Sequence, residues 1–310
     1  TVLLLCAAGM LSQEIRPLWH TATLVLLATL TVVQLGLRRQ RFPVWTQKAV
    51  TLVISTLMVD VIIALFWLSS SPTLLAILPL LQAFTLIISW FLFWPVDRFL
   101  KERRMRRAQL IREKFPDLTV IGVTGSVGKT TVKELLSCTL KKKNVRATPA
   151  YVNSEMGVAG WLIKELSDQK DAPPDILIVE MGAYRRGEIA KLCRIAKPTM
   201  GIITFIGKQH MGLFGSQEAL ANAKAELLES LPENGIAFLN ADNDACAKLA
   251  EKAPCSVQMV GTGGRADIEA FDIEETSTGI AFRTGNTQFS VPLHGTHNVT
   301  NVLLAIAVAR

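Results

Sequence analysis

Charge is scarce in this sequence. Asp, Glu, Lys and Arg together make up 19% of its 310 residues, half of the residues are hydrophobic, and the mean hydropathy is positive. That balance excludes a chain that is water-soluble along its whole length, so the apolar excess must be concentrated somewhere. The five cysteines, Cys6, Cys138, Cys193, Cys246 and Cys255, lack the paired spacing of a metal site. Odd in number and scattered, they read as reduced structural residues in a reducing compartment. There is no internal repeat and no low-complexity tract. The net charge is +7, yet no nucleic-acid motif accompanies the basic residues, which excludes nucleic acid as an expected partner.

The apolar excess lies in the first hundred residues. His20 to Leu37, Ala49 to Ser69 and Pro72 to Pro95 are near-continuous apolar stretches of about the length that crosses a bilayer core, and Thr1 to Leu11 reads as the stump of another. A cleaved signal peptide could account for the first stretch alone, and buried helices of a soluble core are the other reading. Arg38, Arg39, Arg41 and Lys48 make one loop basic, whereas Ser69 to Thr73 carries no charge. After the last span come Arg98, Lys101, Arg103, Arg104, Arg106, Arg107, Arg112 and Lys114. By the positive-inside rule both basic segments face the cytoplasm, where they would meet anionic lipid head groups. Trp19, Trp67, Trp90 and Trp94 lie near span ends, as interfacial anchors do. The expectation is a multi-pass protein of a bacterial cytoplasmic membrane, with transmembrane helices over 1–97, a basic juxtamembrane linker over 98–117 and a cytoplasmic domain over 118–310.

That last region opens with Gly122-Val123-Thr124-Gly125-Ser126-Val127-Gly128-Lys129-Thr130, between an apolar run (Leu118 to Ile121) and a helical pattern starting near Thr130. A glycine-rich turn from strand to helix aims several backbone N–H groups at one point. The helix dipole and a mobile ammonium add positive charge there. Such a loop binds the phosphates of ATP or GTP through Thr124, Gly125, Ser126, Val127, Gly128, Lys129, Thr130 and Thr131, with the Thr130 hydroxyl placed for Mg²⁺. A tight turn with a solvated lysine is the bland alternative. Beyond the loop, Ile176–Met181, Met200–Phe205, Gly235–Asn240 and Ser256–Val260 read as strands. Lys133–Lys142, Gly187–Arg194, Gln217–Leu231 and Asp244–Lys252 read as helices. This alternation predicts an α/β fold with a mostly parallel sheet and ligands at the carboxyl ends of its strands. Asp267 to Val291 reads as a small antiparallel meander, turning at Glu275–Gly279 and Thr284–Asn286. Glu180 ends an otherwise apolar strand, which suits a carboxylate facing a cation; an acid in the exit loop is the competing reading.

The loop's spelling, Gly-x-x-Gly-x-x-Gly-Lys-Thr with Val123 where the usual pattern has glycine, resembles the ATP site of the Mur ligase and folylpolyglutamate synthase superfamily. The resemblance extends from Ile121 to Arg310 and is to the central ATPase domain of the Mur ligases that add D-alanyl-D-alanine. It implies that Glu180 holds Mg²⁺ and that His210, in Phe205 to Ser216, supplies a second metal ligand, although Gly212 stands where those enzymes often have an acid. It further implies that Lys224 carries a carbamate that bridges metal ions; without the resemblance Lys224 is one more lysine on an amphipathic face. Asn153, in Tyr151 to Val158, would lie near the phosphates, with an asparagine turn as the alternative. Gly295 to Asn301 matches the family's Gly-x-His-Asn-x-x-Asn signature, in which Asn298 would read the adenine; a helix N-cap by Asn298 or Thr296 competes. Leu231 to Gly235 and Asn240 to Asp242 are also familiar from the family and read mainly as turn chemistry.

The implied reaction is ATP- and Mg²⁺-dependent amide formation on a muramoyl-peptide carboxylate through an acyl phosphate, with D-alanyl-D-alanine or a similar amine, in peptidoglycan precursor synthesis. Lys129, Glu180, His210 and Lys224 would be its catalytic residues. Two departures stand out. Apolar helices occupy the place of the family's UDP-sugar-binding domain, and the chain stops at Arg310 without the third, amine-binding domain. Together with the missing initiator methionine, this reads as a fragment whose C-terminal domain is a missing partner. A ligase for another envelope or lipid-linked substrate, and a non-catalytic membrane-tethered nucleotide-binding regulator, are the alternatives. No Leu-Ser-Gly-Gly-Gln run or aspartate-ended strand supports a transport ATPase.

Overall fold

In the computed structural model, residues 46–70, 78–167, 173–207 and 214–310 are described. The expected apolar spans at Thr1–Leu11 and His20–Leu37, the loop arginines before Lys48, and His210 lie outside the described residues. The chain divides into two units, Thr1–Leu100 and Lys101–Arg310.

The first unit contains helix α1 (Gln47–Ser70) and the greater part of α2 (Leu78–Arg112), which runs on through Pro95. Both helices are long and apolar enough to cross a membrane. Their side chains are distributed inversely to those of a water-soluble core: Met58, Ile62, Leu65, Phe84, Phe91 and Leu92 are exposed, while Thr56, Asp60, Thr85 and Ser89 are buried. Gln82 Nε2 donates to Asp60 Oδ2 at 2.8 Å across this polar seam.

The second unit begins within α2, so the stretch expected as a linker is helical to Arg112. Arg112 is not available to lipid. It is 3% exposed, and its guanidinium donates to the carbonyls of Ala196 (3.0 Å), Leu118 (2.9 Å) and Phe115. These bonds fix the end of the helix against the entry to the sheet. Seven parallel strands follow in the order β2-β3-β1-β4-β5-β6-β7. They are β1 (Thr119–Thr124), β2 (Val145–Ala147), β3 (Ile176–Glu180), β4 (Met200–Ile203), β5 (Ile236–Asn240), β6 (Ser256–Gly261) and β7 (Ile268–Glu269). All five residues of β3 are buried, as a central parallel strand requires. Their side chains alternate between two cores: Leu177 and Val179 meet Leu162, Ile189 and Leu192, while Ile178 joins Val132, Leu136 and Leu303.

The intervening helices are α3 (Lys129–Thr139), α4 (Glu155–Ser167), α5 (Glu188–Ala196), α6 (Gln217–Glu229), the short α7 (Asp244–Ala247) and α8 (His297–Ala309). The helix expected over Asp244–Lys252 stops at Ala247 and resumes as a 3₁₀ turn (Ala250–Lys252), because Asn243 caps only one short turn. β8 (Phe271–Thr276), β9 (Gly279–Thr284) and β10 (Thr287–Val291) form the antiparallel meander, with turns where they were expected. Its first residues depart from expectation: Ile268–Glu269 pairs in parallel with Val260–Gly261 and extends the large sheet instead. Strand β1 is flanked by β3 and β4, so the chain reverses its direction of sheet growth there. The crevice at the carboxyl end of β1 is the switch point where such sheets bind ligands.

Candidate functional site

The loop leaving β1 depends on two glycines. Gly125 (φ 150°) and Gly128 (φ 87°) occupy backbone regions open to glycine, and a Cβ at Gly128 would lie 2.6 Å from Asn301 Oδ1. The loop is tied down from the next strand connection: Ser126 N donates to Phe205 O (2.6 Å), Gly207 N to Ser126 Oγ (3.2 Å) and Thr204 Oγ1 to Val127 O (2.5 Å). No side chain caps the first turn of α3, so its N-terminal N–H groups face the crevice. Lys129 folds over the loop, its ammonium donating to the carbonyls of Gly125 (2.8 Å) and Ser126 (3.1 Å). Burial holds its pKa below the usual lysine value, against the pull of Glu180. Thr124 contributes by its backbone only, because its hydroxyl donates inward to Met181 O at 2.9 Å. Val127 and Thr130 are exposed and Thr131 is half-buried.

At the tip of β3, Glu180 is 4% exposed. Thr130 Oγ1 donates to its Oε2 at 3.0 Å and Asn153 Nδ2 to its Oε1 at 3.3 Å, while Thr148 Oγ1 accepts from its backbone N–H at 3.0 Å. The fold therefore brings Thr130, Asn153 and Glu180, far apart in sequence, to one point beside the phosphate loop. Sequence reasoning missed Lys133, which is fully buried with its ammonium 3.5 Å from Glu180 Oε2. Its register held the signal, since it lies three residues after Thr130 on the same face of α3. A cavity of about 180 Å³ adjoins Asn153, bounded also by Lys101, Glu155, Gly182, Tyr184 and Glu188.

Lys224, on α6, is not a surface lysine: it is 3% exposed. Burial first, then repulsion from the Lys129 ammonium, lowers its pKa to about 8, while Glu188 and Glu226 oppose the shift. Lys224 therefore lies near enough to Lys129, the lysine of the phosphate loop, for the two charges to repel. Glu226, two residues on, received no role from the sequence beyond its place in the segment. Its carboxylate accepts from Gly187 N (2.6 Å) and Ala190 N (3.0 Å), capping α5, whose own N-cap residue is a glycine.

At the start of α8 neither helix-cap alternative is realised. Thr296 makes no side-chain cap bond, and Asn298 Nδ2 donates to the His294 carbonyl (2.7 Å) while its Oδ1 accepts from Asn301 Nδ2 (3.0 Å). Asn301, packed on Gly128, thus links Asn298 to the phosphate loop. Asn240 and Asp242 do more than make a turn. Asn240 Nδ2 reaches Thr204 O (2.7 Å), and Asp242 gathers Thr262 N (2.7 Å) and Thr300 Oγ1 (2.9 Å), joining β4, β5, β6 and α8. Among the described residues no three His, Cys, Asp or Glu side chains converge into a metal cage, and four cysteines are free.

Comparison with known proteins gives this geometry a context. The family model described as the Mur ligase middle domain matches residues 123–309. The chain is 42% identical over 200 residues to the UDP-N-acetylmuramoyl-tripeptide–D-alanyl-D-alanine ligase of Synechocystis, covering 64% of this chain and 42% of that protein. The ligase of the same name from Bacillus subtilis is 34% identical over 191 residues, covering 61% of this chain and 40% of that one. Among solved structures, MurF from Acinetobacter baumannii superposes with a TM-score of 0.62 at 29% identity, over 67% of this chain and 46% of that one. MurF ligase from Thermotoga maritima, in complex with ADP, gives 0.56 at 31% identity, over 65% and 47%. The chain thus spans about two-fifths of the length of these curated relatives.

Proposed function

The chain belongs to the Mur ligase family, and on that premise we propose that it is an ATP-dependent amide ligase of peptidoglycan precursor synthesis, joining D-alanyl-D-alanine or a similar amine to a muramoyl-peptide carboxylate. The observation that carries this reading is the convergence of Lys129, Thr130, Asn153, Glu180 and Lys224 at the carboxyl edge of a parallel sheet. A nucleotide-binding module without chemistry needs the loop alone; a buried carboxylate and a buried amine beside it are what a phosphoryl-transfer site needs.

The residues present suit a hard, oxygen-seeking cation. Glu180 is a buried carboxylate already sharing an oxygen with the Thr130 hydroxyl, and Mg²⁺ takes one or two carboxylates and completes its shell from phosphates and water. Lys224 suits carbamate formation: with a pKa of about 8, about a tenth of it is neutral at pH 7, far more than of an ordinary lysine. A neutral amine adds to CO₂ and releases one proton. Glu180, Thr130, carbamylated Lys224 and His210 would hold Mg²⁺, which when bound neutralises charge on the transferring phosphoryl group. The chain's own parts do the positioning. The loop N–H groups and the α3 N-terminus hold the phosphates, and the Lys129 ammonium moves from the loop carbonyls onto them. Asn298 orients the base. The substrate carboxylate attacks the γ-phosphorus and ADP leaves; the amine then attacks the acyl carbon of the acyl phosphate, loses a proton and expels phosphate.

We propose further that α1 and the apolar part of α2 cross a bacterial cytoplasmic membrane, with the ATP site on the cytoplasmic side and the exposed Arg103, Arg106 and Arg107 of α2 near lipid head groups. Their length, their exposed apolar faces and the basic run after Trp94 support this. A lipid-linked envelope acceptor is the second reading, supported by the membrane-length apolar helices that precede the ATP-binding unit. The test is phosphate release by the whole protein in detergent with Mg·ATP, with and without UDP-muramoyl-tripeptide and D-alanyl-D-alanine. Release requiring both, and lost in Lys129→Ala, supports the first reading; stimulation only by a lipid-linked acceptor supports the second. No stimulation in a protein that binds ATP points to the regulator.

A further inference from the structure

Lys133 is among the largest fully buried side chains of the described residues, and the mechanism above does not use it. Its ammonium makes no hydrogen bond. Two carboxylates lie near: Glu134 Oε1 at 3.4 Å and Glu180 Oε2 at 3.5 Å. The Glu134 side chain is 68% exposed and its attraction is screened by water, whereas that of Glu180 is 6% exposed. The internal pair is therefore Lys133 with Glu180, at the same oxygen that accepts the Thr130 hydroxyl. A buried ammonium without hydrogen bonds is costly, and a leucine or methionine would fill the same space between Val132 and Leu136 at no such cost. The charge itself must do something there.

We infer that Lys133 is a positioning residue acting as the resident counter-ion of Glu180, which makes divalent-metal binding conditional on nucleotide. This rests on Glu180 being a metal ligand. While the crevice is empty of phosphate, the ammonium holds the carboxylate toward Thr130 and offsets its charge. A free divalent cation arriving at Glu180 would stand close to that ammonium in a poorly screened site, and the repulsion weakens its binding. A nucleotide brings several negative charges, which outweigh one ammonium, so the metal enters with the phosphates. Binding of metal and nucleotide is then positively coupled, and the coupling is reciprocal.

The experiment is a titration of the whole protein in detergent with Mn²⁺, free metal being read by electron paramagnetic resonance, with and without a non-hydrolysable ATP analogue. The wild type is compared with Lys133→Met and Lys133→Met/Glu180→Gln. Lys133→Met is expected to bind Mn²⁺ without nucleotide about tenfold or more tightly than wild type. The double substitution should abolish that gain, and the nucleotide-induced gain in Mn²⁺ affinity should shrink in Lys133→Met. A packing role alone would leave Mn²⁺ affinity unmoved. If Lys133→Met is not recovered folded, Lys133→Gln is read in the same titration. Nucleotide-free affinity that is unchanged or weaker in whichever variant folds overturns the inference. Because no acceptor or amine is present, that outcome leaves the ligase reading standing, and a chain that shows the metal coupling but no substrate-dependent phosphate release refutes the ligase reading alone.

Discussion

Replacing Lys224 by methionine separates what this site costs from what it does. Methionine keeps most of the unbranched apolar stem and removes the ammonium, which is 3% exposed and repelled by Lys129. The pKa falls from 10.5 to about 8, so at neutral pH the folded protein carries this charge at a cost of about 3 kcal/mol relative to the unfolded chain. For an α/β unit of this size that corresponds to a melting temperature higher by roughly 5–10 °C in Lys224→Met. The pH dependence has a definite sign. A folded-state pKa below the unfolded one means that between about pH 8 and 10.5 the unfolded chain binds the extra proton, so wild-type stability rises with pH across that window. The variant's advantage should be complete below pH 8 and gone near 10.5. The assay is differential scanning calorimetry from pH 7 to 10.5 in Mg²⁺-free, CO₂-depleted buffer, alongside substrate-dependent phosphate release, which should fall by about 100-fold or more. A variant no more stable than wild type at pH 7, or an advantage that does not change with pH, refutes the reasoning.

Gly128→Ala forces a Cβ into a left-handed backbone and against Asn301, so ATP affinity should drop by about tenfold, read by equilibrium binding with the fold checked by circular dichroism. Glu226→Gln removes the carboxylate that caps α5 and should lower stability by about 1 kcal/mol in a thermal melt, without loss of nucleotide binding. Arg112→Ala strips the donors from the carbonyls of Ala196, Phe115 and Leu118 and should cost about 3 kcal/mol. Limited proteolysis should then cut faster between Arg112 and Thr119.

The parts legible in the sequence are those fixed by local chemistry. Gly125 and Gly128 announce a loop that only glycine can make, and Ile176 to Val179 followed by Glu180 announce a buried strand ending in a carboxylate. The crossovers between such strands left few topologies open. What stayed hidden depends on tertiary partners. β2 and β7 are three and two residues long and exist only because a neighbour pairs with them. Helix α4 carries Gly157 and Gly160, which weaken its helical signal; at Gly160 the absent side chain makes room for Arg104. The meander's boundary was misplaced because Ile268–Glu269 has strand character in either sheet. Lys133, Glu226 and Arg112 read as ordinary charged residues, and only the fold shows that each is buried against a specific partner. Asn301 was noticed as part of a signature, yet its packing on Gly128 needed the helix to be placed.

The central claim is that this site activates a carboxylate as an acyl phosphate. UDP-muramoyl-tripeptide labelled with ¹⁸O in its terminal carboxylate, incubated with the protein, Mg·ATP and D-alanyl-D-alanine, tests it directly by mass spectrometry of the released phosphate. The account predicts one ¹⁸O transferred into each phosphate formed, with transfer lost in Lys129→Ala. Phosphate released without label while the amide product forms, or phosphate released without any amide product, would contradict it.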